Sequence, residues 1–152
     1  MQMITKQKTK RANPEAVLQS HLTGTLKVLG YTIMETGKSR SAVMCPHCKG
    51  RHYATGWQGN TVGLPDLYIH RTGWKLGMAV ALELKAPTGK VRPEQQQMAD
   101  AGMSIIVRTL SDGLRHIRDV EETLGNTVQA RRLSQMLDSS WLLEEKDIVQ
   151  TT

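Results

Sequence analysis

Met78-Ala-Val-Ala-Leu-Glu-Leu-Lys85 is the segment on which the fold turns. It has no helical period and no turn residue, and it stays apolar until Glu83, so it reads as a buried strand. Side chains alternate across a strand, which places Met78, Val80, Leu82 and Leu84 on one face and Ala79, Ala81, Glu83 and Lys85 on the other. The first face supplies core. The second ends in a carboxylate and an ammonium, with only alanines beside them to leave room for a substrate. Upstream, the turn-like residues 71–77 separate this strand from Asp66-Leu-Tyr-Ile-His70, which also alternates. Antiparallel pairing across such a turn brings Asp66 beside Glu83. Downstream, Pro93 opens a helix closed by Gly102, and residues 103–108 (MSIIVR) form a buried strand.

The flanking segments complete a mixed α/β pattern. Asn13 is a helix N-cap, Pro14 suits the first helical position, and Leu18, Leu22, Leu26 and Leu29 recur at helical spacing until Gly30. Glu15 therefore lies in the first turn. Residues 31–36 are extended, and a second short strand ends at Cys45. Leu114, Ile117, Val120 and Leu124 mark one amphipathic helix, and Leu133, Met136, Leu137 and Trp141 another. The packing solution for this order is a central mixed sheet of about four or five strands flanked by helices.

Composition narrows the function classes. The 152 residues fit one domain, and no apolar run approaches the roughly 20 residues of a membrane span. The basic N-terminus lacks the apolar stretch of a secretory signal, and two cysteines are too few for a disulfide framework, so a cytoplasmic protein is expected, in a bacterial cell or a virus-infected host. The net charge of +6 is uneven: residues 1–118 hold 17 Lys/Arg against 7 Asp/Glu, and residues 119–152 hold 3 against 7. A basic front of this size attracts polyanions, of which nucleic acid is the commonest. The expected organisation is a flexible basic arm (1–12), a catalytic domain (13–124) with a cysteine loop near 45–52, and an acidic helical tail (125–152). There is no GxxxxGK[ST] phosphate loop and no GxSxG elbow.

Glu83-Leu-Lys85 alone is a weak motif. Asp66 beside it changes the reading, because two adjacent carboxylates repel, and a hard divalent cation with oxygen ligands, Mg²⁺ or Mn²⁺, relieves that repulsion. Gly63-Leu-Pro65-Asp66, Glu83-Leu-Lys85, Gly89 and Pro93-Glu-Gln95 together resemble the signature of the PD-(D/E)xK nucleases, and in particular the VRR-NUC branch of viral replication and repair proteins. The likeness covers most of residues 13–124. It implies a restriction-endonuclease-like fold and a magnesium- or manganese-dependent DNA endonuclease. It also implies Asp66 and Glu83 as metal ligands, Lys85 over the attacking water, and a supporting acid and glutamine, here Glu15 and Gln95. Gln96 and Gln97 are alternatives for the glutamine. Single-domain nucleases of this branch act as homodimers on four-way junctions, which makes branched DNA the expected substrate. Lys6, Lys8, Lys10 and Arg11, with Lys90 and Arg92, are the expected phosphate contacts. The competing readings are a non-cleaving DNA-binding or zinc-stabilised scaffold, and an RNA-processing nuclease.

Cys45-Pro-His-Cys48 has the form of half a zinc ribbon, and His52 lies four residues further on. A structural zinc wants four ligands, so the segment is either a zinc site on Cys45, Cys48 and His52 or a plain hairpin tip with reduced thiols. The stripe on the acidic tail either forms a dimer interface or packs on its own domain. Trp57, Trp74 and Tyr68 are expected mostly in the core. His70 shares the Asp66 face and is a possible DNA contact, whereas His21 and His116 are packing or surface residues.

Overall fold

Asn13 starts the first helix as its side chain predicts. Its Oδ1 accepts from the Glu15 N–H (3.1 Å), Pro14 follows at the first helical position, and α1 (Pro14–Val28) stops before Gly30, which takes φ +88°. The computed structural model describes residues 13–36, 42–53 and 63–149. After α1 come β1 (Tyr31–Glu35), β2 (Ala42–Met44), β3 (Arg51–Tyr53), β4 (Leu67–Arg71), β5 (Val80–Leu84), α2 (Pro93–Asp100), β6 (Ile105–Val107), α3 (Leu110–Thr123) and α4 (Thr127–Val149). Lys6, Lys8, Lys10, Arg11 and Trp57 lie outside the described residues, as do the side chains of His52 and Trp141.

The main sheet has four strands in the order β1-β4-β5-β6. β1 and β5 both pair antiparallel to β4, while β6 runs parallel to β5 and is reached through α2. The sheet is therefore mixed, as expected. β2 and β3 pair with each other as a separate hairpin. Leu67 faces Leu82 and Ile69 faces Val80, so the alternating apolar residues of β4 and β5 share one face. Leu22 and Leu26 of α1, Leu114 and Ile117 of α3, and Leu133 and Leu137 of α4 join that face in one core.

One expectation needs correction. The MSIIVR strand is shorter than expected, and only Val107 is fully buried, with Met103 60% exposed. β6 is an edge strand and has a sheet neighbour on one side only. Of the two readings of the tail stripe, packing on its own domain holds for Leu133 and Leu137, which belong to the chain's core, leaving Met136 at the margin. Among the described residues no helix is long and apolar enough to cross a membrane.

One buried polar cluster ties sheet to helices. Glu121 of α3 is fully buried and accepts from the Tyr31 hydroxyl (2.8 Å), Arg71 Nε (2.6 Å) and Nη2 (3.2 Å), and Asn126 Nδ2 (2.6 Å). A carboxylate so placed is tolerated because its oxygens are satisfied and its charge is paired.

Candidate active site

The β4–β5 register, carried one step past Leu67 and Leu82, sets Asp66 opposite Glu83. One step further the ladder ends, and the Leu84 N–H donates to the Asp66 carboxylate, at Oδ2 (2.8 Å). On the other side Thr36 fixes the same segment: its N–H donates to Asp66 O (2.9 Å) and its hydroxyl to Pro65 O. The Asp66 carboxylate is thus held where the strand pairing fails.

Glu83 is 1% exposed, although the alternation places it on the side opposite the aliphatic core. Its Oε1 accepts from Lys85 Nζ (2.7 Å) and from Gln95 Nε2, while its Oε2 is buried with no partner. Burial raises the Glu83 carboxyl above its ordinary value, the Lys85 ammonium opposes this, and nearby Asp66 and Glu15 add to the rise. Asp66 is also raised by burial, against the Leu84 N–H and Lys85. The face is more enclosed than the sequence suggested: Ala79 is exposed, but Ala81 is 8% exposed because β5 lies between two neighbouring strands.

The helix phase selects among the three glutamines. Arg92 stands at the N-cap of α2, and its side chain has no acceptor for the helix end. Only the reciprocal half of the capping pattern remains, in which the Arg92 N–H donates to Gln95 Oε1 (3.0 Å). That bond orients the amide and leaves Nε2 to donate to Glu83. Gln96 bonds Asp100 instead (2.8 Å) and is exposed, as is Gln97.

Behind the cluster, the turn after Lys85 is fixed from two sides. Gly89 N–H donates to Ala86 O (2.8 Å), and Glu15 Oε1 accepts from the Ala86 N–H (3.3 Å). A Cβ on Gly89 would sit 3.1 Å from Ala86 N and O and 3.3 Å from Glu15 Oε1, which explains the glycine. Arg108 Nη1 donates to the carbonyls of Ala86 (2.8 Å), Pro87 (3.2 Å) and Gly89 (3.0 Å). Arg108 was missed in the sequence, where it is one more basic residue at a strand end. Among the described residues no three His, Cys, Asp and Glu side chains converge on a metal position, and the hydrogen bond of Glu15 goes to the Ala86 backbone. Those two carboxylates are hard oxygen donors of the kind Mg²⁺ or Mn²⁺ takes, and the unpartnered Glu83 Oε2 suits a cation.

The other expected residues lie around this centre. Lys90 and Arg92 are exposed on the segment joining the turn to α2. His70 does not project freely: its Nδ1 donates to Met78 O (2.8 Å), and its ring meets buried Trp74 edge-on at 5.9 Å. Tyr68 is half-buried and His21 exposed. Cys45 and Cys48 are free thiols between β2 and β3. The N–H groups of Cys48 and His47 and the Cys48 thiol hold Cys45 below its ordinary value. His52 lies in β3 opposite Val43. Compared with protein-family models, with curated proteins and with solved structures, the chain matches none of them.

Proposed function

We propose that this chain is a metal-dependent DNA endonuclease of the PD-(D/E)xK kind, built on a restriction-endonuclease-like core. The observation that carries the reading is the convergence of Asp66, Glu83 and Lys85, with one Glu83 oxygen buried and unpartnered. A buried polar atom without a partner costs about 1–3 kcal/mol. A cation beside it would remove that cost and offset the repulsion between the two carboxylates. Asp66 and Glu83 are the residues that would hold Mg²⁺ or Mn²⁺. When bound, such an ion polarises a phosphate and makes a coordinated water more acidic.

The chain's own groups supply the positioning. Lys85 keeps a fixed positive charge 2.7 Å from Glu83 Oε1, where a phosphate drawn to the cluster gains negative charge in the transition state. Gln95 holds the same carboxylate oxygen, so Glu83 is restrained by two donors. Glu15 and Arg108 fix the backbone just past Lys85. Lys90 and Arg92 lie along the approach and suit phosphate contacts that set position without reading bases. One cluster hydrolyses one strand at a time, so paired nicks in a branched junction call for two copies of the chain. Leu133 and Leu137 are taken up by the core and do not serve such an interface.

The test is incubation with labelled four-way, flapped and linear DNA and with RNA, each with and without Mg²⁺ or Mn²⁺. Metal-dependent paired nicks in branched DNA are expected. Equal cutting of linear and branched DNA would overturn the structure selectivity, and cleavage of RNA alone the substrate class. No cleavage of any substrate with either metal would overturn the nuclease reading itself.

A further inference from the structure

The β2–β3 hairpin takes no part in the carboxylate cluster, yet its tip is more constrained than a hairpin tip needs to be. The ladder ends at the Met44–Arg51 pair. Beyond it, Cys45 N–H donates to Gly50 O (2.9 Å) and Lys49 N–H to Cys45 O (3.0 Å), which folds residues 45–50 into a tight loop. Within that loop the backbone N–H groups of His47 and Cys48 point at the Cys45 sulfur, and the Cys48 thiol is hydrogen-bonded to it. The two sulfurs are therefore on the same side of one turn, Cys45 half-buried and Cys48 exposed.

This arrangement requires Lys49 to adopt φ +57°, a left-handed conformation uncommon outside glycine and asparagine, and Lys49 is the one described non-glycine residue that does so. An ordinary hairpin places glycine or asparagine at such a position. The chain instead keeps a lysine in a disfavoured conformation and holds two thiols together at the surface. Backbone N–H donors directed at sulfur are the groups that a metal-bound thiolate retains, because it stays electron-rich. A disulfide sulfur is a poor acceptor and would leave those donors without a partner. Soft thiolates select zinc over the hard cations that suit the carboxylate cluster.

We propose that Cys45 and Cys48 are two ligands of a zinc ion that closes the tip of the β2–β3 hairpin, separate from the Asp66–Glu83 centre. Zinc in a structural site is tetrahedral, with sulfur ligands at about 2.3 Å, so two further donors complete it. Both thiols lose their protons to solvent on binding, and no electron is transferred.

The experiment is zinc analysis of protein purified without chelator or added metal, together with intact mass under non-reducing conditions. One zinc per chain, or one per two chains accompanied by dimerisation, is expected, and the acid-denatured, metal-free chain should have its fully reduced mass. Cys45→Ser and Cys48→Ser should each lower bound zinc by about tenfold or more. If either variant fails to fold, Co²⁺ loaded into the unaltered chain gives the second readout, as a thiolate-to-cobalt charge-transfer band in the near ultraviolet. Overturning results are an unaltered chain with neither zinc nor that band, full zinc content in either serine variant, or an acid-denatured, metal-free mass two hydrogens short, which marks a disulfide. None of these readouts involves DNA cleavage, so the inference stands or falls apart from the nuclease reading.

Discussion

Truncating Glu121 to alanine removes the acceptor at the centre of the buried polar cluster. The Arg71 guanidinium, the Tyr31 hydroxyl and the Asn126 amide would each lose a bond of 2.6–2.8 Å. Removing one partner of a buried ion pair costs about 3–5 kcal/mol. The Arg71 side chain is 23% exposed, so water recovers part of its loss and the lower end applies. The Tyr31 hydroxyl, in a residue 4% exposed, adds roughly 1 kcal/mol. The total is about 4 kcal/mol. Across the roughly 120 described residues, an unfolding entropy of about 2.1 cal/mol/K per residue converts this to a fall in Tm of about 16 °C. Thermal denaturation followed by circular dichroism at neutral pH reads it directly. The pH dependence is a second check. Burial pushes the Glu121 carboxyl up, but Arg71, Tyr31 and Asn126 outweigh it and hold the group below its ordinary value. A depressed carboxylate contributes stability above its unfolded pKa and loses it as pH falls through the folded pKa. The gap between the unaltered chain and Glu121→Ala should therefore narrow in acid. A fall in Tm under about 4 °C, or a gap that acid leaves unchanged, would refute this account of the cluster.

Four further outcomes follow from the same geometry. Asp66 and Glu83 are both raised, so in metal-free protein their burial costs stability once pH rises above the unfolded carboxylate range, and the cost grows until the folded values are passed. Glu83→Gln should flatten that decline in a chelator-treated melt. Mg²⁺ at a hundred times its Kd should add about 2.7 kcal/mol to the unaltered chain at alkaline pH and much less at pH 4. Arg108→Met removes three bonds to the 86–89 turn; a loss of about 2 kcal/mol in denaturant unfolding is expected, and an unchanged midpoint would show that the turn holds itself. Gly113→Ala puts a Cβ 2.8 Å from Leu22 Cδ1, and overpacking of about 1–3 kcal/mol outweighs roughly 1 kcal/mol of helix propensity; a raised Tm would contradict it.

The features legible in the sequence were those set by local signals. Asn13 and Pro14 fixed the start of α1 because capping acts over a few residues. Alternation over residues 78–85 separated Leu82 and Leu84 from Glu83 and Lys85, and the intervening turn implied the antiparallel register that sets Asp66 opposite Glu83. Other features depended on contacts that spacing does not encode. Gln95 is distinguished from Gln96 by the phase of α2, which follows from Arg92 at the N-cap. Arg108 reaches its three carbonyls about twenty positions back along the chain, and no motif marks it. Glu121 is one of the seven acids that make residues 119–152 negative, yet it is the most enclosed carboxylate in the described residues, because charge counts carry no information on burial. The tail stripe had a clear apolar period but no indication of its partner, which proved to be the chain's own core.

Nicking of supercoiled DNA in Mg²⁺ by the unaltered chain, Asp66→Asn, Glu83→Gln and Lys85→Ala, all checked for native circular dichroism and for DNA binding, tests the central claim most directly. Each substitution is predicted to slow nicking by about a hundredfold or more while binding is largely kept, because the proposed phosphate contacts lie on other basic residues. Nicking that persists in Glu83→Gln, or that proceeds undiminished in the unaltered chain with excess chelator, would contradict it.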